Sequence, residues 1–324
     1  MIHPFSGVIT AALFLSLAFT SCSKNDSVNN GGSGGSGGSG TASTAINITD
    51  APIDDASVTG AFVTITDIKL DGQSVQGFTK ATVDLKAYVN GNTKALGTYN
   101  LAGKTYSTIS FVLDFDTDAF GASPGCYVVN NIGLKSKLQS SSNVITVSKN
   151  FALTSGASNS LVADFDLRKM IIHQSGAGTD RYDFATAAEL SAAVRVVTAN
   201  SYGTMSGTLT DLVSGSAKVV AYVYKKGTFN RNVEMQGQGA SSIQFANAVN
   251  SSMVNNSGYY QLHFLESGDY EIHFASYKDT NADGEYELQG TLSIVGAAGI
   301  DFLNLHITTN VNLQVNATAT GILP

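Results

Sequence analysis

After residue 44 apolar side chains recur at every second position through most of the chain. That alternation places successive side chains on opposite faces and predicts half-buried β-strands. Ile46 and Ile48 begin it. Between Phe62 and Leu70 the phase shifts, from Val63 and Ile65 to Ile68 and Leu70, and a β-bulge near Thr66-Asp67 would produce such a shift. Ile109, Phe111, Leu113 and Phe115 share one face over 106–116, as do Leu161, Ala163, Phe165 and Leu167 over 161–167. Val194 to Val197 closes this series, and Thr186 to Ala193 is the best short-helix candidate. The pattern lapses at 198–203 and restarts at Met205. Lys218 to Lys225 alternates cleanly, whereas 228–257 is polar with one strand-like piece at 243–249. Tyr259 to Tyr277 predicts a hairpin turning at Glu266-Ser-Gly-Asp269, with Leu262, Phe264, Tyr270, Ile272 and Phe274 on one face. Segments 286–294 and 300–313 follow. Many short strands without long helices predict an all-β fold of two β-sandwich domains, 44–198 and 203–324.

The N-terminus reads differently. Residues 5–20 are apolar or small, short of the about 20 residues that span a bilayer and in keeping with a secretory signal core. The run Leu17-Ala-Phe-Thr-Ser-Cys22 follows directly, and a polar Gly/Ser-rich stretch then reaches residue 43. Such a stretch is a flexible coil with a root-mean-square reach of about 25 Å. An engineered linker is the competing reading of its GGSGGSGGSG core.

Composition narrows the function classes. Charged residues make up 13% of the 324, against about 25% in ordinary soluble domains. The 43% apolar share excludes an acidic disordered chain, and 18 Lys+Arg against 25 Asp+Glu exclude a basic nucleic-acid binder. Two cysteines exclude a disulfide-dense scaffold. Cys126 lies in a strand-like run, where a small buried hydrophobe is expected.

Candidate chemistry is sparse. Gly121-Ala-Ser-Pro-Gly125 fits G-x-S-x-G, but Pro124 lacks the backbone N–H that an oxyanion needs and no helix follows. His263 and His273 would face each other across the expected hairpin near Glu271; a solvent-facing polar stripe is the favoured reading, because a metal needs three or four ligands. Asp114, Asp116 and Asp118 are expected along the solvent face of a strand. Asp50, Asp54, Asp55 and Asp67 could gather at one end of the first domain, with Asp164 and Asp166 joining them, as a calcium, ligand or Asp-based enzymatic site. The sharpest motif is Asp279-Thr-Asn-Ala-Asp-Gly-Glu-Tyr-Glu287. Asp279, Asn281, Asp283, the carbonyl of Glu285 and Glu287 could wrap a structural calcium ion, Gly284 allowing the bend. A metal-free turn is the alternative, since Asp, Asn and Gly favour turns unaided.

Several segments resemble known families. The run up to Cys22 resembles a lipobox of the looser Bacteroidetes kind, although Phe19 and the absence of Lys or Arg before the apolar run depart from the strict pattern. The resemblance implies a lipoprotein signal peptide over 1–21 and a diacylglycerol thioether on Cys22 at the start of a 22–43 tether. Ser23-Lys-Asn-Asp26 is similar to the export signals of Bacteroidetes surface lipoproteins, and Asp26-Ser27-Val28 to their O-glycosylation pattern, which implies a glycan on Ser27. Residues 44–198 resemble the domain-of-unknown-function family 4382 through Ile48-Thr-Asp-Ala-Pro52, Val63-Thr-Ile-Thr-Asp-Ile-Lys69, Leu113-Asp-Phe-Asp116, Asp164-Phe-Asp166 and Val194-Arg-Val-Val197. That resemblance brings no activity. Residues 203–324 are similar to carboxypeptidase regulatory-like, transthyretin-like sandwiches through Gly207-Thr-Leu209, Gly258-Tyr-Tyr-Gln-Leu262 and Gly268-Asp-Tyr-Glu-Ile272; the 228–257 insertion departs from that pattern. The expectation is an outer-membrane, cell-surface lipoprotein without enzymatic activity that binds a glycan or protein. A structural subunit of a surface assembly, or an enzyme using the scattered Asp residues, is the alternative.

Overall fold

In the computed structural model, which describes residues 40–51, 58–174, 181–199, 201–210, 218–280, 286–296 and 299–324, period-two alternation becomes strand through most of the chain; the strand-like piece expected at 243–249 is instead an isolated bridge at Ile243 followed by turns, and the strand of that segment is Asn250–Met253. The first lobe contains β1 (Thr41–Ala51), β2 (Val58–Leu70), β3 (Gln73–Ser74), β4 (Ala81–Asp84), β5 (Lys94–Ala102), β6 (Thr105–Leu113), β7 (Tyr127–Asn130), β8 (Lys135–Lys137), β9 (Val144–Ala152), β10 (Ser158–Asp166), β11 (Ile171–Gln174), β12 (Arg181–Phe184) and β13 (Val194–Thr198). One sheet runs β13-β10-β1-β5 and a second β8-β7-β2-β6-β9, with β3 and β4 also on β2. Between them lie Ile46 and Ile48 of β1, Ile65 and Ile68 of β2, Phe111 of β6 and Phe165 of β10. The Phe111 and Phe165 rings meet edge to face at 5.2 Å. The expected bulge is present: Ile65 pairs with Leu113 and Asp67 with Val112, leaving Thr66 as the extra residue. It allows Val63 and Ile65 on one side of it, and Ile68 and Leu70 on the other, to reach the same core.

Short helices α1 (Leu167–Met170) and α2 (Ala187–Ala193) bracket β11 and β12. The latter matches the expected helix, and Thr186 and Glu189 form a reciprocal capping box at its start. Cys126, fully buried just before β7, accepts a hydrogen bond from the Thr64 N–H and donates to the Asp114 carbonyl. Burial pushes its thiol up to about 12. In a Cys22→Ser chain, iodoacetamide at pH 8 is therefore expected to leave Cys126 unmodified until denaturant is added; rapid labelling of the folded chain would contradict this burial.

The second lobe contains β14 (Tyr202–Thr210), β15 (Lys218–Lys225), helix α3 (Arg231–Gln236), β16 (Asn250–Met253), β17 (Tyr259–Glu266), β18 (Gly268–Lys278), β19 (Glu287–Gly296), β20 (Leu305–Ile307), β21 (Asn312–Gln314) and β22 (Ala317–Leu323). The path is β16-β15-β18-β19-β22-β14-β17, and β14 belongs to both ladders because it pairs with β17 along most of its length and with β22 at Leu209–Thr210. The fold is thus all-β, with two sandwich-like lobes, and residues 39–324 make one compact unit.

The expected hairpin at 259–277 does not form. β17 pairs with β14, while β18 pairs with β15, β19 and β20, so Ser267 carries the chain from one layer to another. Phe264 also leaves the expected face. It adopts φ 54° beside a register shift in the β14–β17 ladder, and Leu265 enters the core in its place. The polar 228–257 insertion covers the outer face of β15. Val219, Ala221 and Val223 face the lobe core, while Val220, Tyr222 and Tyr224 lie under Phe229 and Phe245. The Tyr222 and Phe245 rings stack at 4.2 Å.

Candidate functional site at the junction of the lobes

β10 ends in a charged alternation. Ala163 and Phe165 face the core, so Asp164 and Asp166 point the other way, toward the second lobe. Asp164 stands opposite Arg195 of β13 in the antiparallel ladder and forms an ion pair with it. The same guanidinium donates to the carbonyls of Phe264 and His263 in β17. Asp166 pairs with Arg168 at 2.9 Å, and Arg168 donates to the Gln244 carbonyl at 2.6 Å and the Phe245 carbonyl at 3.2 Å. Its guanidinium also sits 5.2 Å over the Tyr222 ring. Lys169, 3.3 Å from Asp166, donates to the Ala248 carbonyl at 2.6 Å. Each of these cations therefore links a carboxylate of the first lobe to a backbone carbonyl of the second, using more than one donor. Lys149 adds a 2.6 Å bridge to Glu266, and Val162 and Val197 pack on Phe264.

Asp50, the penultimate residue of β1, lies beside this row and takes the Leu167 N–H at 3.1 Å. Burial raises its carboxyl well above the usual range, and the negative charges of Asp164 and Asp166 add to the effect against the pull of that N–H. Burial likewise raises Asp164 against the lowering by Arg195, and burial lowers the Lys169 ammonium.

The insertion that supplies the carbonyls is organised by one carboxylate. Glu234 of α3, 1% exposed, accepts from the Tyr224 hydroxyl at 3.0 Å, the Gln238 amide at 3.1 Å, and the Asn247 side chain and backbone at 2.6 and 3.3 Å. Beside the junction a groove of about 580 Å³ runs between the lobes. Gln139, Ser141, Asp183 and Phe184 wall it on one side and Ala240 to Ser242 on the other. It meets a second hollow of about 510 Å³ that shares Gln139 to Ser141 and extends to Asp116, Lys137 and Asn143.

Of the expected Asp group, Asp50, Asp164 and Asp166 converge here. Asp67 lies elsewhere, holding the Ser74 hydroxyl at 2.6 Å, and Asp54 and Asp55 lie outside the described residues. Asp114, Asp116 and Asp118 do not line a strand, because β6 ends at Leu113. Asp114 instead caps a turn through the N–H groups of Asp116 and Thr117 and pairs with Lys80 at 2.8 Å; Asp118 is buried and accepts from the N–H groups of Phe120 and Ala122. His263 and His273 are neither paired nor a solvent stripe. His263 abuts Gly91 of the first lobe, where an added Cβ would stand 2.4 Å from the ring, and His273 stacks on Phe229 at 3.7 Å. Cys22, Ser27, Asn281, Asp283 and Glu285 lie outside the described residues, as does Gly284. Of the remaining loop positions, Glu287 takes the N–H and hydroxyl of Thr280 at 2.8 and 2.7 Å. Among the described residues no three His, Cys, Asp or Glu side chains are placed to hold a metal ion.

One signal of the junction was present in the sequence. Asp164-Phe-Asp166-Leu-Arg168-Lys169 sets charges into an apolar strand and supplies balancing cations within three residues. The recipient carbonyls carry no residue signature.

Residues 41–185 match the family described as a domain of unknown function, DUF4382. No curated protein matches the chain. Solved structures with some likeness include the Bacillus anthracis TIE protein, at 12% identity and a TM-score of 0.19, covering 86% of this chain and 34% of that one. The minor pilin GBS52 of Streptococcus agalactiae is 12% identical with a TM-score of 0.19, over 87% of this chain and 99% of the pilin. BcpA, the major pilin subunit of Bacillus cereus, is 10% identical with a TM-score of 0.20, over 86% and 100%.

Proposed function

We propose that this chain is a non-enzymatic binding or adhesion module held on the outer membrane of a Bacteroidetes-like cell by a lipid on Cys22, with its β lobes displayed outward on the Gly/Ser tether. The observation that carries the binding role is the groove of about 580 Å³ between the lobes. Hydroxyl, amide and carboxylate groups line it beside Phe184, a mixture suited to the hydroxyls and apolar ring faces of a neutral glycan. Glu189 of α2 accepts from the Ser241 N–H at 3.0 Å and the Ser241 hydroxyl at 2.6 Å, which ties one wall to the other, so the groove is shaped before a ligand arrives.

The groove is tested on the full chain carrying Cys22→Ser, against a glycan array. Binding to a neutral oligosaccharide is expected, with Ser141→Trp weakening it at least about tenfold by filling the groove. Failure to bind any glycan, or equal binding by Ser141→Trp, would remove the assignment. The anchor is tested separately: Cys22→Ala is expected to abolish labelling by a palmitate analogue and to move the protein into soluble fractions. An unchanged membrane fraction with equal labelling would refute the lipidation.

A structural subunit extended by strand addition is less favoured by the edge at β5. Leu96 bulges out of the β1–β5 ladder, and the Tyr99 hydroxyl folds back onto its carbonyl at 2.8 Å, over Gly97. Both features blunt an edge against another strand.

A further inference from the structure

The groove between the lobes continues into the second hollow. Residues 139–141 line both, the one of about 580 Å³ and the one of about 510 Å³, and Asn143 prolongs the wall of the second. Segment 139–143 is held along its length. The Gln139 carbonyl accepts from the Phe184 N–H at 3.3 Å, the Ser140 hydroxyl donates to the Ala185 carbonyl at 3.0 Å, and the Asn143 carbonyl accepts from the Leu113 N–H at 2.7 Å. Gln139, Ser141 and Asn143 nevertheless stay exposed. An apolar floor is shared as well. Phe184 lines the first hollow and Phe115 the second, and the two rings lie 5.9 Å apart at 51°. Both hollows open to solvent, so together they make one cleft.

Charge restricts what can lie there. Asp183 lines the first hollow, and Asp114 and Asp116 line the second. Each stands in an ion pair, with Arg181 at 3.3 Å, Lys80 at 2.8 Å and Lys137 at 2.7 Å respectively. These carboxylates are balanced, so they call in no ionic ligand. They keep hydrogen-bonding capacity, since a carboxylate offers about four acceptor positions and an ammonium three donors. Hydroxyls, which both donate and accept, meet that mixture, and the aromatic floor suits the apolar faces of sugar rings. A single sugar fills one hollow and leaves the other to water, whereas a chain of linked sugars fills both.

We propose that the cleft recognises a stretch of a linear neutral oligosaccharide, part of it at Phe184 and the next part at Phe115, with Gln139 and Ser141 meeting the hydroxyls between them. The proposal rests on the glycan reading of the groove and adds chain length as what sets affinity. Once one part is bound, the next is held at high effective concentration, so affinity grows with length until both hollows are filled.

Titration calorimetry of the full chain carrying Cys22→Ser, with cello-, malto-, manno- and xylo-oligosaccharides from disaccharide to hexasaccharide, tests this. In a series that binds, the hexasaccharide is expected to bind at least about tenfold more tightly than the disaccharide. Asn143→Trp, which fills the second hollow alone, is expected to bring the hexasaccharide down to the affinity of the disaccharide and to leave the disaccharide unchanged. Lys137→Trp, at an exposed strand position, is expected to do the same and keeps the test valid if Asn143→Trp does not fold. Affinity independent of length, or hexasaccharide binding unchanged in both variants, would overturn the extended cleft and leave a short-glycan groove that Ser141→Trp still blocks. No binding in any of the four series would overturn the glycan reading and this inference together.

Discussion

Arg195→Ala is expected to lower the unfolding free energy by about 3–5 kcal/mol, the range for removing one member of a buried ion pair. Asp164 is 3% exposed and has Arg195 as its ion-pair partner across β10 and β13, so truncation strands a carboxylate in the junction. It also removes the donors to the Phe264 and His263 carbonyls, and the two lobes lose a tie at the same moment. Arg195→Lys is expected to recover part of the loss, since an ammonium restores the charge without the planar fork that reaches both sides. Asp164→Leu combined with Arg195→Met is expected to be far less damaging than Arg195→Ala alone, because the penalty comes from the orphaned charge. Urea unfolding at pH 7 separates these cases. A loss below about 1 kcal/mol for Arg195→Ala would place the pair among solvent-screened surface bridges and refute its role as a tie.

Much of the first lobe is readable from its apolar positions. Ile46, Phe111 and Phe165 reach one core because period-two alternation fixes which face each side chain takes, and even the Thr66 bulge leaves its mark as a phase shift. The second lobe is less legible. Alternation in Leu262 to Phe274 specifies two strands but not their partners; a tight Glu-Ser-Gly-Asp connection serves a hairpin or a change of layer equally well. Here the bulge at Phe264 and the demand of β14 for a neighbour decide the pairing. Tyr222 and Tyr224 carry a similar ambiguity. Aromatic residues on the second face of β15 signal a cover, yet the cover is a polar segment whose burial depends on Glu234. The junction is readable by half: its charges stand in Asp164 to Lys169, but their acceptors are backbone carbonyls, and backbone has no letter in a sequence.

Glu234→Ala is expected to cost about 3–5 kcal/mol and to loosen the junction from the opposite side. Removing this carboxylate leaves the Tyr224 hydroxyl, the Gln238 amide and the Asn247 donors without their acceptor, and each buried orphan costs about 1–3 kcal/mol less whatever the loop recovers by relaxing. The consequence is not confined to the insertion. Gln244, Phe245 and Ala248 present the carbonyls that Arg168 and Lys169 hold, and Phe245 covers Tyr222. Once the insertion frays, those cations lose their acceptors and the outer face of β15 meets water. Hydrogen exchange is therefore expected to accelerate across 233–254 and also at 164–170 in the first lobe, although no residue there has been changed. Glu234→Gln is expected to fall between, since its amide keeps one acceptor but sets an N–H₂ group against the remaining donors. Faster exchange limited to 233–254, with 164–170 as protected as before, would show that the first lobe holds its charges without the insertion and would refute the coupling.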